Sequence, residues 1–241
     1  MEIKVGTCGW SYLNPEVYIK NWKEKFSHKL QAYAKLFDLV EVNSTFYKIP
    51  KLKTVEKWRE LVDEVNPKFE FTVKCSKTIT HEERFSGKSA KVFEEMKEIG
   101  KGLRAKVLLF QSPASFKPTK KNIERVKSFF GKIERENFIL VWEVRWEKNW
   151  TEEVVRSLFE EIGVNQCVDP FRQECFYCRD IVYYRLHGLG RPMYRYDFSR
   201  SELKGLGEKV KSLKKDVYVL FNNFKCYENG IEFKNLLSSS A

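Results

Sequence analysis

The sequence has few histidines and no long apolar run. Three histidines occur among the 241 residues, and no apolar run exceeds five residues, as in Phe138–Trp142. A bilayer-spanning helix needs about 20 apolar residues, and the residues after Met1 lack the apolar stretch of a secretory signal. We therefore expect a cytoplasmic protein with no membrane partner. Glutamine is also scarce beside many Lys, Glu and Arg residues, a composition that resembles that of thermophile proteins.

Acidic residues are outnumbered by basic ones. The chain has 44 Lys and Arg residues against 33 Asp and Glu residues, a formal net charge of +11. Such a surplus favours an anionic partner, because phosphate chains bind basic surfaces by releasing counterions. A solvated surface that keeps the protein soluble explains the surplus equally well, since the basic residues are scattered along the chain. Net charge alone leaves both interpretations open.

No linker or low-complexity tract interrupts the chain, which instead alternates short β-rich runs with charged segments of helical apolar spacing. Several runs are nearly continuous in Val, Leu, Ile and Phe, as expected for parallel strands buried on both faces. The eight predicted strands are Ile3–Cys8, Asp38–Asn43, Phe69–Cys75, Lys106–Gln111, Phe138–Val144, Val164–Asp169, Ile181–His187 and Val217–Asn222. The predicted helices are Lys29–Phe37, Thr54–Val65, Lys88–Leu103, Lys120–Arg135, Thr151–Ile162, Ser201–Leu213 and Glu228–Leu237.

This alternation predicts an α/β fold with a parallel sheet. Eight repeats favour closure into a (β/α)8 TIM-like barrel over an open sheet, and we expect a single domain over residues 1–241. The segment from Pro170 to Asp180 has no helical period, so the helix between strands six and seven is predicted to be short or missing. Thr151 and Ser201 are predicted to cap the starts of two helices, and Gly163 to end one.

Polar or otherwise distinctive residues end every predicted strand. In a TIM barrel the active site is built at the carboxyl ends of the strands and on the loops that follow them. Because parallel strands share one carboxyl end, we expect these side chains to meet at one mouth. The residues in question are Cys8, Trp10, Glu41, Asn43, Tyr47, Lys74, Gln111, Glu143, Arg145, Asp169, Arg185, His187 and Asn222.

Several of these strand ends also carry a recognisable ordered set of motifs. The motifs are Gly6–Trp10 (GTCGW), Glu41–Tyr47 (EVNSTFY), Phe71–Lys74 (FTVK), Gln111–Phe116 (QSPASF), Glu143–Trp146 (EVRW), Tyr184–Gly188 (YRLHG) and Tyr218–Asn223 (YVLFNN). Together they resemble the YecE-like family, a family of domains of unknown function numbered 72 (DUF72). The resemblance implies a TIM-type barrel without an assigned activity. It also implies a similarity to metal-dependent barrels such as endonuclease IV and xylose isomerase, which concerns the fold alone.

Glu41 and Glu143 are predicted to lie nearly opposite one another, because they belong to the second and fifth of eight strands. Two carboxylates with different pKa values can act as general acid and base, with His187 as a proton carrier. Together with Asp169 and His187 they form a predicted hard-cation site for Mg²⁺ or Mn²⁺. The competing interpretation is a salt-bridge lattice, since buried carboxylates are commonly neutralised by cations. The mouth supplies three such cations, Lys74, Arg145 and Arg185.

The same three cations are also a predicted clamp for an anionic group. Arg forks bind phosphate and carboxylate in bidentate geometry. Asn43, Gln111 and Asn222 would orient the bound ligand, and Trp10 and Tyr47 would stack on a base or a sugar ring. The predicted partner is therefore a phosphate-bearing ligand, with nucleic acid as one candidate.

Three functional hypotheses follow. The leading one is an enzyme that processes a phosphate-bearing ligand at the mouth, with a metal-dependent hydrolase of nucleic acid as its most specific form. A non-catalytic nucleic-acid-binding module is the first alternative, and it predicts binding that survives replacement of Glu41 and Glu143 by Gln. A sugar isomerase or epimerase is the second, and it predicts a less cationic mouth.

Cys175 and Cys178 form a C-x-x-C motif in the segment without helical period. A zinc or iron–sulfur site normally requires two further ligands. A disulfide or redox pair and two inert thiols are the other interpretations. The spacing alone does not decide among them.

Overall fold

Eight parallel strands form a closed barrel in the computed structural model, which describes residues 1–145 and 148–239. Each strand pairs in parallel with its sequence neighbours, and the first pairs with the last. The strands are β1 (Ile3–Thr7), β2 (Leu39–Val42), β3 (Glu70–Lys74), β4 (Val107–Gln111), β5 (Ile139–Glu143), β6 (Asn165–Val168), β7 (Ile181–Leu186) and β8 (Asp216–Phe221). The TIM-barrel prediction is confirmed.

Helices pack around the outside of the barrel. They are α1 (Trp22–Lys25), α2 (Lys29–Leu36), α3 (Leu52–Asp63), α4 (Ser89–Gly102), α5 (Lys120–Lys132), α6 (Glu152–Ile162), α7 (Arg200–Ser212) and α8 (Cys226–Ser238). Short helical turns also occur at Pro15–Val17, Ser44–Phe46 and Thr78–Glu82, and with α1 they are absent from the sequence-based prediction. Across the described part of the chain, no helix is long and apolar enough to cross a membrane.

The alternation of side chains along each strand decides which residues enter the barrel. On β7, Tyr183 joins the inner cluster, whereas Val182 and Tyr184 pack outward among the residues beneath the helices. Arg185 follows Tyr183 by two positions and therefore also points inward. Because alternate side chains on every strand point inward, side chains from different strands meet at the mouth of the barrel.

Helix caps explain where two of the helices begin and end. The Thr151 hydroxyl accepts the Val154 N–H at 3.4 Å, and Gly163 ends α6 with a φ of +62°, as predicted. The prediction for Ser201 is wrong, because Ser199 caps α7. The Ser199 hydroxyl accepts the Glu202 N–H at 3.3 Å, and the Glu202 carboxylate accepts the Ser199 N–H at 2.8 Å. A capping box requires Glu three positions after the cap, which Ser199 satisfies.

The connection between β6 and β7 contains no helix in any of its residues from Pro170 to Asp180, all of which the structure describes. Side chains of β6 hold it instead. Gln166 Oε1 accepts the Phe176 N–H at 2.7 Å, and Asn165 Oδ1 accepts the N–H groups of Arg179 and Asp180, each at 2.8 Å. These bonds satisfy backbone donors that a helix would otherwise pair. The prediction that the helix between strands six and seven is short or missing is confirmed.

Candidate functional site

Arg185 lies at the centre of a buried ion network beneath the mouth. Its Nε and Nη2 atoms donate to the two oxygens of Glu41 at 3.0 and 2.8 Å, and its Nη1 donates to Glu143 Oε2. All three side chains are almost completely buried. The bidentate geometry is the one in which Arg neutralises a carboxylate most effectively.

Further hydrogen bonds occupy the same carboxylates. The Tyr183 hydroxyl donates to Glu41 Oε2 at 3.0 Å and lies 2.8 Å from the hydroxyl of Thr72. The other oxygen of Glu143 lies 2.8 Å from Arg145 Nε. The structure therefore places Glu41 and Glu143 in a salt-bridge lattice, which was the competing interpretation of these carboxylates. Their catalytic role stays a prediction.

These cations change how Glu143 titrates. Burial alone would raise the pKa of the carboxyl group, but the charges of Arg185 and Arg145 outweigh it and hold the pKa of Glu143 well below its ordinary value. The same carboxylates and nearby thiols hold the pKa of Arg185 above its ordinary value despite burial. Glu143 and Arg185 therefore both remain ionised at neutral pH.

We expect acidification to destabilise the protein partly through Glu143. Its folded pKa lies below the unfolded value of about 4.3, so its ion pairs stabilise the fold above that pH and are lost as the pH falls through the lower folded value. In urea unfolding from about pH 6 to about pH 3, Glu143→Gln should flatten the acid decline of the unfolding free energy. Glu152→Gln, which alters an exposed pair with Arg156, should leave the decline unchanged. Parallel curves for wild type and Glu143→Gln would contradict this expectation.

The residues predicted to bind Mg²⁺ or Mn²⁺ do not fit a divalent cation. Within residues 1–145 and 148–239, no group of three or more His, Cys, Asp and Glu side chains could hold a metal ion. The reason is that the Arg185 guanidinium lies between Glu41 and Glu143, where it supplies the positive charge that a metal would bring. The predicted ligand set of Glu41, Glu143, Asp169 and His187 is corrected accordingly.

His187 and Asp169 form a second buried pair beside this network. The backbone N–H of His187 donates to Asp169 Oδ2 at 2.8 Å, and the ring Nδ1 lies 3.4 Å from the same oxygen. The ring Nε2 lies 3.8 Å from Glu143 Oε1. Burial lowers the pKa of His187, against the opposing effect of Glu143. The imidazole is therefore neutral at pH 7 and lies under the pocket rather than in its wall.

A cavity of about 760 Å³ opens above this network at the carboxyl ends of the strands. Three cations, Lys74, Arg145 and Arg195, line it, and none of its lining residues that the structure describes is Asp or Glu. The remaining lining residues are Asn43, Phe46, Tyr47, His81, Gln111, Pro113, Ala114, Met193, Tyr194, Asn222, Asn223 and Phe224. The cavity is therefore suited to an anion, because its fixed charges in the described residues share one sign.

The structure brings most, but not all, of the predicted ligand-binding residues to this cavity. Six of them line it, namely Asn43, Tyr47, Lys74, Gln111, Arg145 and Asn222. Arg185 lies beneath it with its donors bound to Glu41 and Glu143, which corrects its predicted role as an anion clamp. Trp10 packs instead against Trp58 of α3, with ring centroids 5.1 Å apart and planes nearly perpendicular. Trp146, which belongs to the quoted motif after β5, lies outside the described residues.

Loops after three of the strands supply cavity residues that were not in the predicted ligand-binding set. His81 comes from the turn after β3, and Arg195 and Phe224 follow β7 and β8. The Tyr194 hydroxyl accepts from both terminal nitrogens of Arg145 at 3.3 Å, and its carbonyl accepts the Phe224 N–H at 2.7 Å. The glycines Gly188 and Gly190 are a sequence signal that the loop after β7 folds back on itself. No rule of residue spacing, however, places Arg195 in the cavity.

The cysteines of the C-x-x-C motif are free thiols in the structure. A hydrogen bond from Cys175 lowers the pKa of Cys178 to about 6, assisted by the charges of Lys215 and Arg156. The same hydrogen bond and burial raise the pKa of Cys175. Neither thiol is among the described residues that line the cavity.

The fold and the cationic mouth together define a TIM-barrel protein with an anion-suited pocket at its carboxyl face. The family model described as "Protein of unknown function DUF72" matches residues 4–239, so the chain belongs to the DUF72 family. A DUF72 family protein from Thermotoga maritima has 30% sequence identity and a TM-score of 0.75, with coverage of 99% of this chain and 100% of that one.

More distant solved structures resemble the chain in fold. A DUF72 family protein from Enterococcus faecalis is 20% identical, with a TM-score of 0.75 over 98% of this chain and 95% of that one. D-psicose 3-epimerase from Clostridium cellulolyticum, solved with D-tagatose, is 12% identical, with a TM-score of 0.58 over 100% of this chain and 97% of that one. The comparison with curated proteins finds no match.

Proposed function

We propose that the mouth binds a phosphate-bearing ligand and that the protein is an enzyme that processes it, with a nucleotide unit of nucleic acid as the best-fitting ligand. The observation that carries this proposal is the charge of the cavity. Lys74, Arg145 and Arg195 line it without an acidic residue among its described lining. Phosphate oxygens bind such groups by charge-assisted hydrogen bonds.

The uncharged part of the lining supports a ligand that also carries a ring. Tyr47 and Phe224 expose 74% and 76% of their surface at the rim, and Tyr194 is partly exposed beside them. Large aromatic side chains that cluster on the surface of a soluble protein are unusual, and their ring faces allow a base to stack on them. Asn43, Gln111 and Asn222 add hydrogen-bonding groups that can read the edge of such a ring.

In this proposal Glu41 and Glu143 bind arginine rather than a metal ion. Glu41 and Glu143 hold Arg185 in place beneath the cavity, and Glu143 also lies 2.8 Å from Nε of Arg145 in the lining. The carboxylates therefore position the arginines, and the phosphate would be bound by the cations of the lining rather than by a metal ion. A sugar isomerase or epimerase that uses a carboxylate pair on a metal is disfavoured, because the carboxylates are committed to arginine.

Binding and turnover can be tested on end-labelled oligonucleotides. We expect single-stranded and abasic oligonucleotides to bind in fluorescence anisotropy, with an affinity that falls steeply as salt rises. Arg195→Gln should weaken binding several-fold and reduce the salt slope by about 0.7, the value for one phosphate contact on a single strand. Arg200→Gln, which removes the same charge from α7 outside the cavity, should leave both unchanged.

The same samples, resolved on denaturing gels with and without Mg²⁺ or Mn²⁺, distinguish an enzyme from a binding module. Altered oligonucleotide in the wild type supports an enzyme. Binding with every oligonucleotide left intact favours the non-catalytic module. Absence of both binding and turnover overturns the proposal.

A further inference from the structure

Lys74 presents a buried amine to the cavity. It is the last residue of β3, and only 5% of its surface is exposed. Its Nζ lies 4.0 Å from the centroid of the Phe46 ring, which covers one side of it. The side chain therefore reaches the cavity from the barrel interior with the Phe46 ring against its amine.

The amine has no carboxylate partner in the part of the chain that the structure describes. Glu41 is the carboxylate whose charge acts most strongly on Lys74, but its two oxygens already accept from Arg185 and Tyr183. Lys97 in α4 shows the usual arrangement. Its side chain is 4% exposed, and its amine lies 2.8 Å from Glu94 and 3.3 Å from Glu136. Buried lysines are commonly paired in this way, so Lys74 is the exception.

Burial and a neighbouring cation favour the neutral form of Lys74. Burial and the neighbouring Arg185 lower its pKa to about 8, and Glu41, Glu143 and Cys8 oppose the shift without reversing it. About half of the side chains are then neutral near pH 8, whereas an ordinary lysine with a pKa of about 10.4 is almost entirely protonated. A desolvated lysine beside another cation is a recognised form of activated amine nucleophile.

We propose that Lys74 forms an imine with the carbonyl carbon of a phosphate-bearing aldehyde or ketone bound in the cavity. This inference rests on the proposed phosphate-binding function and names a substrate class for it. The other cations of the lining, Arg145 and Arg195, hold the phosphate, and Lys74 meets the carbonyl group. A free sugar phosphate and the open-chain sugar of an abasic nucleotide share this chemistry.

The step requires no oxidant or metal. The Nζ lone pair forms a bond to the carbonyl carbon, the C=O π electrons move to oxygen, and a proton transferred from nitrogen through solvent gives a carbinolamine. The nitrogen lone pair then forms the C=N bond as the C–O bond breaks, and the oxygen leaves as water after protonation. The protonated imine that results can accept electrons from an adjacent C–H bond or C–C bond.

The imine can be trapped by reduction. Borohydride delivers hydride to the imine carbon, and a proton adds to nitrogen, which leaves a stable secondary amine on the lysine. Wild-type protein would be treated with glyceraldehyde 3-phosphate or with an abasic oligonucleotide, reduced, digested and analysed by mass spectrometry. At pH 8 we expect the adduct on Lys74 to form at least about tenfold faster than on any other lysine. Inorganic phosphate should suppress it, and the labelling rate should rise with pH around a midpoint near 8.

Two variants test whether Lys74 is the amine that forms the imine. Lys74→Arg retains a cation but should lose the adduct, and Lys97→Arg, which alters a buried but paired lysine, should retain it. Labelling spread over surface lysines without preference for Lys74 overturns the inference. The peptide map of the wild type gives this answer even if Lys74→Arg fails to fold.

The outcomes also separate this inference from the proposed function. Oligonucleotide binding without an adduct on Lys74 leaves the proposed function standing and overturns the imine. An adduct that forms equally with glyceraldehyde and is insensitive to inorganic phosphate supports the reactive amine and overturns the phosphate-bearing substrate class. Labelling by the abasic oligonucleotide alone, or by the sugar phosphate alone, identifies which source of the carbonyl group the cavity accepts.

Discussion

Arg185→Met is expected to lower the free energy of unfolding by about 3–5 kcal/mol. Arg185 is fully buried and is the cation that Glu41 and Glu143 share. Its removal leaves two carboxylates in the barrel interior without that counter-ion, and the cost of an uncompensated buried charge exceeds the value of the lost contacts. Urea unfolding monitored by circular dichroism measures the change, and a loss below about 1 kcal/mol would contradict the role assigned to the network.

Two further variants test the physical reason for this loss. The triple variant Glu41→Gln/Glu143→Gln/Arg185→Met removes all three charges together and should recover a substantial part of the stability, because a buried ion pair as a whole contributes little net free energy. Arg200→Met removes an exposed arginine paired with Glu232 and should cost less than about 1 kcal/mol. A triple variant no more stable than Arg185→Met would indicate lost packing rather than uncompensated charge.

Trp142→Ala is expected to destabilise the protein by a similar amount, about 3–5 kcal/mol. Trp142 is fully buried on the outer face of β5 and stacks on Phe159 of α6, with ring centroids 5.1 Å apart and planes at 9°. Its indole N–H also donates to the Ser112 hydroxyl at 2.8 Å. The substitution opens a large cavity between the barrel and its helical layer, and thermal and urea unfolding will measure the loss.

Trp142→Phe is the matched control. It retains an aromatic ring against Phe159 but removes the hydrogen bond to Ser112, so it should cost clearly less than the alanine variant, about 1–3 kcal/mol. Ser112 immediately follows β4 at the mouth, so this bond also ties the ends of β4 and β5 together. Equal losses for the two variants would show that the hydrogen bond, rather than packing, dominates at this position.

The barrel could be predicted because its signal is local and repeated. Each strand is a short apolar run and most intervening segments have helical spacing, so errors at single boundaries do not change the count of repeats. The same locality explains why the mouth was recognised. Glu41 and Asn43, or Arg185 and His187, are two residues apart at the end of a predicted strand, so the alternation of side chains predicts the same face for both members of each pair.

The pairing of charges at the mouth could not be predicted in this way. Sequence shows that Arg185 and Glu41 end two strands, but not that the guanidinium lies below the cavity with its donors committed. That outcome depends on side-chain length and on the level of each residue in the barrel, which a strand boundary does not define. Arg195 was missed for a related reason, because it reaches the cavity from a loop whose path no local periodicity describes.

The contacts of Arg185 also concern the order in which the protein folds. Its partners Glu41 and Glu143 lie 144 and 42 residues away in sequence. We expect contacts so distant in sequence to form late in folding, because closing the long intervening loops carries an entropic cost. The floor of the cavity therefore cannot assemble in a partly closed sheet: β2, β5 and β7 must all be in place. Ligand binding at the mouth would therefore report on the placement of these three strands as well as on the lining residues themselves.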